Sequence, residues 1–276
     1  MSLSRKRREE IKAGDITLVG YPWDTNSSYL RGSAAAPEAI IQSIENPSAN
    51  FFTERLTDLA GHEKVCWVGN GELHDYFDIT KISDSILNRG AVTFGLGGDH
   101  SVTFPILQSI FEAHGPVTII HFDAHNDLYA DFEGNPYSHA SPFARIMENE
   151  LAARLIQIGT RTTSRHQMDQ VRKYGVELYP MNKLHQLNLK EIKSPVYISF
   201  DMDVLDPAFA PGVSHHEPGG LSTREALTLL SQIGALIVGM DLVEYNPDRD
   251  INGVTGMVAA KIAKEMIDLA LHNNRL

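Results

Sequence analysis

Seven short apolar runs, rich in β-branched residues, recur along the chain at residues 16–20, 65–68, 91–96, 117–122, 155–159, 196–200 and 236–240. None alternates with polar residues as a half-solvated strand does. Each is largely apolar throughout, the pattern of a strand covered on both faces. Between them, apolar residues recur at helical spacing over 37–44, 79–88, 104–113, 142–151, 165–174, 223–233 and 256–271. Ser222-Thr-Arg-Glu225 is a capping box that opens one of these helices. Strands alternating with helices predict a parallel sheet with helices on both sides, an α/β fold. No Pro/Gly/Ser-rich linker, low-complexity tract or internal repeat divides the 276 residues, so a single domain is expected over 1–276. Residues 1–14 are expected to be flexible or peripheral.

Composition narrows the possible functions. A formal net charge of −11 opposes a phosphate backbone, which excludes general nucleic-acid binding and favours cationic partners. No stretch approaches 18 consecutive apolar residues, so no membrane-spanning helix is expected. The single cysteine excludes a disulfide framework and fits a reducing compartment. The first ten residues carry the basic run Arg5 to Arg8 and lack the apolar centre of a secretory leader. Together these features give the expectation of a cytoplasmic protein.

The chemistry gathers where strands end, the edge on which open parallel sheets bind ligands. Residues 91–96 run into Gly97-Gly-Asp-His-Ser101, 117–122 into Asp123-Ala-His-Asn-Asp127, 196–200 into Asp201-Met-Asp203, and 236–240 into Asp241-Leu-Val-Glu244. Four strands delivering Asp, Glu and His to one edge is a costly convergence of like charge unless a cation lies between them. The two-residue spacings of Asp123, His125 and Asp127, and of Asp201 and Asp203, let side chains converge from an irregular turn. With His100 they make six N and O donors and no sulfur. That set suits two divalent ions of hard to borderline character, Mn²⁺ first, rather than structural Zn²⁺.

Three of these segments, Gly97-Gly-Asp-His-Ser101, Phe122-Asp-Ala-His-Asn-Asp127 and Ser199-Phe-Asp-Met-Asp-Val-Leu-Asp-Pro207, resemble the signatures of the ureohydrolase superfamily of arginases and agmatinases. The resemblance runs from Asn26-Ser-Ser28 to the C-terminal helical segment. It is strongest to the plant-type branch, through Glu133-Gly-Asn-Pro-Tyr-Ser-His-Ala-Ser-Pro-Phe-Ala-Arg145, Ala210-Pro-Gly-Val-Ser-His215 and Val243-Glu-Tyr-Asn-Pro-Asp-Arg249. It implies a three-layer α/β/α sandwich around an eight-stranded, mostly parallel sheet, the eighth strand near 176–179, and assembly into trimers or hexamers. By position it implies that His100, Asp123, Asp127 and Asp201 hold one ion and Asp123, His125, Asp201 and Asp203 the other, with Asp123 and Asp201 bridging. His139 falls at the proton-transfer histidine, and Glu244 at the carboxylate that grips a guanidinium. The implied reaction hydrolyses a small cationic guanidino substrate to urea and a primary amine.

Arginine is the leading substrate expectation, with agmatine and guanidinobutyrate as alternatives and a silent metal-binding relative as the remote one. The loop over 128–138 is expected to face the substrate tail. There Asn135, Tyr137 and Ser138 are candidate donors to a carboxylate, and Asp131 or Glu133 candidate partners of an amine. Asp241 is read as supporting the site from behind the ligands, Asp99 as a turn residue, and His121 as able to orient a ligand.

Overall fold

The computed structural model describes residues 2–275 and is built on one nine-stranded sheet. The strands are β1 (Ser4–Arg5), β2 (Ile16–Tyr21), β3 (Val65–Asn70), β4 (Val92–Gly97), β5 (Val117–Phe122), β6 (Ala152–Ile158), β7 (Glu177–Tyr179), β8 (Val196–Asp201) and β9 (Ile237–Val243). Their spatial order is β1-β3-β2-β4-β9-β8-β5-β6-β7, and every neighbouring pair is parallel. The helices are α1 (Ala36–Ile44), α2 (Asp78–Leu87), α3 (Thr103–His114), α4 (Pro142–Glu148), α5 (Arg165–Tyr174), α6 (Thr223–Leu230) and α7 (Val254–Asn273).

The near-continuous apolar runs have a direct cause. In β2, β4, β5, β8 and β9 every residue is buried, because successive side chains enter two different cores. Leu18, Ile120, Ile198 and Leu242 pack with α1, α6 and α7. Val19, Ile119, Tyr197 and Val243 pack with α2 and α3 on the opposite face. The capping box opens α6: Ser222 Oγ accepts from the Glu225 N–H at 3.2 Å, and Glu225 Oε2 accepts from the Ser222 N–H at 2.8 Å.

The structure departs from the sequence pattern at several points. Its ninth strand, β1, lies in the segment expected to be flexible or peripheral. It is peripheral, at the sheet edge, but it is tied down: Ser4 and Arg5 pair with Cys66 and Trp67, Leu3 is buried, and Lys6 Nζ donates to Asp15 Oδ2 at 2.6 Å. A two-residue polar strand leaves no period to read. β6 begins three residues earlier than its apolar run because Ala153 and Arg154 are exposed near the sheet edge. α4 ends at Glu148, just before Glu150 adopts a left-handed backbone (φ 54°). β9 continues to Val243, which puts Asp241 inside a buried strand rather than beyond its end.

The connection pattern places the chemistry. The chain passes from β4 to β5, builds the β5-β6-β7 edge, then returns to insert β8 and β9 between β5 and β4. Four strands distant in sequence thereby become neighbours, β4-β9-β8-β5, with their carboxyl ends on one edge.

Candidate metal centre

Beyond β4 the chain tightens into a 3₁₀ turn over His100–Val102, capped by Asp99, whose Oδ1 accepts the Ser101 N–H at 3.0 Å. Gly98 is required here: a β-carbon on it would lie 1.8 Å from the Trp23 carbonyl oxygen. The turn aims His100 Nδ1 at three carboxylate oxygens, Asp123 Oδ2, Asp127 Oδ2 and Asp201 Oδ2, each 3.1 Å away. His125 Nδ1 lies 3.0 Å from Asp203 Oδ2 and 3.4 Å from Asp123 Oδ1. Asp123 thus turns one oxygen to each half of the cluster. Asp201 is likewise divided, with Oδ2 toward His100 and Oδ1 accepting the Asp203 N–H at 2.7 Å. All six expected ligands are therefore brought together.

The donors fit divalent ions. His100 Nδ1 is fully buried and makes no hydrogen bond. Each of the three carboxylate oxygens lies close enough to Nδ1 for the pair to share one divalent ion. The carboxyls themselves call for a cation. Burial, followed by the Asp123 charge, pushes Asp127 up to about 6, and burial with the Asp203 and Asp123 charges pushes Asp201 well above the usual carboxylate range.

The ligands rest on a row of polar side chains one pleat below them. Gln157, His121, Ser199 and Asp241 are register partners across β6, β5, β8 and β9. Asp241 accepts from Ser199 Oγ at 2.7 Å, Tyr197 OH at 2.7 Å and Thr103 Oγ1 at 2.8 Å. The Ser199 proton is thereby spent on Asp241, so Ser199 Oγ accepts from His100 Nε2, 2.9 Å away. That leaves the Nδ1 lone pair for an ion. In the same row Gln157 Nε2 donates to His121 Nδ1 at 3.1 Å, so His121 Nε2–H donates to Asp123 Oδ2 at 2.8 Å. His121 therefore orients Asp123, one of the expected ligands. Sequence reasoning passed over Ser199, Gln157, Thr103 and Tyr197. The available signal was a polar residue two positions before a ligand in an otherwise apolar strand, as His121 precedes Asp123 and Ser199 precedes Asp201.

His139 and Glu244 lie beside the cluster and contact each other, with His139 Nδ1 2.8 Å from Glu244 Oε1. Oε1 also accepts the His100 N–H at 2.9 Å. Burial would lower the His139 imidazole, but the Glu244 carboxylate outweighs it and raises the ring to about 9. Burial opposes ionisation of Glu244, yet His139 and the His100 N–H hold it below the usual range. Glu244 and Asp127 both have left-handed backbones, φ 63° and 50°, conformations that non-glycine residues adopt where surrounding contacts enforce them. The Glu244 N–H is held by the Gly98 carbonyl at 2.9 Å, and the Asp127 carbonyl by the Phe143 N–H at 3.1 Å.

A cleft of about 190 Å³ opens over this arrangement, with His125, Asp127, His139, Asp201, Asp203 and Glu244 in its wall. Its uncharged wall includes Thr162, Thr163, Gln167 and Ser28, none of them singled out from sequence. The expected tail residues are placed elsewhere. Tyr137 packs its ring on Tyr76, Phe77 and Phe104. Asn135 turns back, its Oδ1 accepting the Tyr137 N–H at 2.9 Å and its Nδ2 reaching Asn26 Oδ1 at 3.3 Å. Ser138 is buried, its Oγ accepting the Ala140 N–H at 3.3 Å. The 128–138 loop does reach the cleft, but through Tyr129 and Phe132; Asn135, Tyr137 and Ser138 do not line it.

Comparison with known proteins agrees with this geometry. The model of the Arginase family matches residues 14–268. The chain is 44% identical to "Arginase, mitochondrial" of Medicago truncatula over 275 residues, covering 92% of this chain and 81% of that protein. It is 43% identical to "Arginase 1, mitochondrial" of Arabidopsis thaliana over 271 residues, covering 91% and 79%. Among solved structures, arginase from Medicago truncatula superposes with a TM-score of 0.88 at 42% identity, covering 94% of this chain and 88% of that one. The expectation of a cytoplasmic location is corrected by these relatives. Both match the chain along most of its length and both are named as mitochondrial, so the inference drawn from composition and the first ten residues does not stand.

Proposed function

The chain belongs to the arginase family, and on that premise we propose that it hydrolyses the guanidino group of arginine to ornithine and urea. One observation carries the reading: three carboxylate oxygens converge on the buried His100 Nδ1, and two of their residues, Asp127 and Asp201, line the cleft together with Glu244. In the proposal His100, Asp123, Asp127 and Asp201 hold one divalent ion, and Asp123, His125, Asp201 and Asp203 the other, with Mn²⁺ as the metal. Two such ions, when bound, would lower the pKa of a water so that hydroxide would be available near neutral pH.

The chain's own residues do the rest. A guanidinium keeps its proton, with a pKa of about 12 or more, so the substrate arrives as a planar cation. Glu244 Oε1 is committed to His139 and the His100 N–H, which leaves Oε2 to take a charge-assisted hydrogen bond from the guanidinium and fix its orientation. His139, held by Glu244 and carrying a proton at neutral pH, supplies the proton with which the leaving nitrogen departs. Self-association into trimers or hexamers belongs to the same proposal and is read by light scattering of the purified protein.

One observation favours agmatine instead. Among the described residues no lysine or arginine lines the cleft, so an α-carboxylate would rest on neutral donors such as Thr162, Thr163 and Gln167. Urea release by the Mn²⁺-loaded protein from arginine, agmatine and 4-guanidinobutyrate, assayed in parallel, tests both readings. Preference for arginine is expected. Preference for agmatine overturns the substrate and keeps the reaction; no urea from any of the three overturns the reaction.

A further inference from the structure

His139 is engaged at both ring nitrogens. Nδ1 faces Glu244, and Nε2 lies 2.8 Å from Ser28 Oγ. The residue is only 7% exposed, so it reaches a departing nitrogen directly only by breaking one of these contacts. Ser28 lines the same cleft and is exposed. A hydroxyl can accept one proton while releasing another.

We propose that Ser28 Oγ is the terminal group of a proton relay running from His139 Nε2 to the leaving nitrogen. The inference rests on the hydrolysis proposed above. As the guanidino C–N bond breaks, its electron pair stays with the departing nitrogen. That nitrogen takes the proton from Ser28 Oγ, and Oγ takes the proton from His139 Nε2. His139 is left neutral, still donating from Nδ1 to Glu244, and regains its proton from water before the next turnover.

The loop that carries Ser28 is held in place without the Ser28 side chain. Asp99 Oδ2 accepts from the Asn26 N–H at 3.1 Å and from Ser27 Oγ at 3.2 Å. Asn26 Nδ2 donates to Ser101 Oγ at 3.2 Å, and the Asn26 carbonyl accepts the His139 N–H at 3.1 Å. The loop and the His139 backbone therefore form one unit, and removing the Ser28 hydroxyl leaves that unit standing. A relay group needs such fixed geometry, since proton transfer requires hydrogen-bond reach at every link.

The test uses the Mn²⁺-loaded enzyme and two variants, Ser28→Ala and Ser28→Thr. In Ser28→Ala, kcat is expected to fall about 100-fold, the low end of what a general acid contributes, with KM and bound metal unchanged. The solvent deuterium isotope effect on kcat is expected to rise as proton delivery becomes limiting. Ser28→Thr, which restores a hydroxyl, is expected to recover most of the loss. A Ser28→Ala enzyme with wild-type kcat overturns the relay, and so does a loss shared by kcat and KM that threonine does not rescue, which marks a packing role. A wild-type protein that releases no urea removes the hydrolysis itself; an active wild type with an unaffected Ser28→Ala removes the relay alone.

Discussion

The hydrogen-bond chain behind His100 makes a quantitative prediction about Asp241, which touches no expected ligand other than through Ser199. Asp241 receives three hydroxyl protons, from Ser199, Tyr197 and Thr103. In Asp241→Asn the amide oxygen keeps the Tyr197 and Thr103 bonds, and the new NH₂ faces Ser199 Oγ. Ser199 must then accept from the amide and turn its own proton to His100 Nε2. The imidazole proton is driven to Nδ1, the atom that faces Asp123, Asp127 and Asp201. Metal binding in the variant must first reverse that tautomer and leave two donors opposed. Outer partners of this kind are worth about 10- to 100-fold in metal affinity, or about 1.4–2.7 kcal/mol. The metal-free chain should lose little stability, because burial already pushes the Asp241 carboxyl up and the substitution removes that buried charge. Affinity is measured by Mn²⁺ competition against a fluorescent chelator, and stability by thermal melting without metal. Ser199→Ala, which interrupts the same chain one link earlier, should cost a similar amount, and the double variant little more than either single one. Wild-type affinity in Asp241→Asn would refute the reasoning, as would fully additive losses in the double variant.

Three further outcomes are expected. Asp201→Ala removes an oxygen facing His100 and the acceptor of the Asp203 N–H; urea release should drop to background while the circular dichroism spectrum and monomer fold persist, and wild-type turnover would exclude the two-ion assignment. Arg161→Lys replaces a guanidinium that donates to the carbonyls of Glu217, Asp203, Val204 and Leu205; lysine lacks the fork to serve four acceptors, so a loss of about 1–2 kcal/mol in chemical denaturation is expected, together with weaker Mn²⁺ binding through Asp203. Asp250 accepts the Thr255 and Gly256 N–H groups at the start of α7 and the Tyr245 hydroxyl, each at 2.9 Å. Burial opposes its ionisation but these donors win, so its carboxyl lies below the usual range in the folded chain. Its contribution is therefore complete above the unfolded carboxylate pKa and is lost as pH falls through the folded value. Asp250→Asn should cost about 1–2 kcal/mol at pH 7, and urea titrations should show that gap narrowing below about pH 4.

What the sequence made legible follows from how each feature is encoded. Strands buried on both faces announce themselves as apolar runs, because each residue has a core to enter, Ile119 on one side and Ile120 on the other. The six donors were legible because like charges crowded at adjacent strand ends have few uses besides a cation. β1 was not, since its two residues are polar and are held by pairing with Cys66 and Trp67 and by the Arg5–Glu45 ion pair, none of which leaves an apolar run. Asn135 and Tyr137 were misplaced for a different reason: their residue types suit substrate binding, but the direction of a side chain on an irregular loop depends on contacts such as the bridge between Phe132 and Asn135, which no local pattern encodes. The row formed by Gln157, His121, Ser199 and Asp241 lies between these cases. Gln157 and Ser199 occur singly in apolar runs and read locally as blemishes, whereas His121 and Asp241 already read as supports of the expected ligands. Only the parallel register sets the four side by side, and only there does each find the partner that makes its burial tolerable. Polar residues scattered one to a strand at the same height below a charged edge are therefore best read together. Apart, each would be an unsatisfied buried group; as a row they fix the tautomer of His100 and the orientation of Asp123, so the sheet prepares its ligands before any ion arrives.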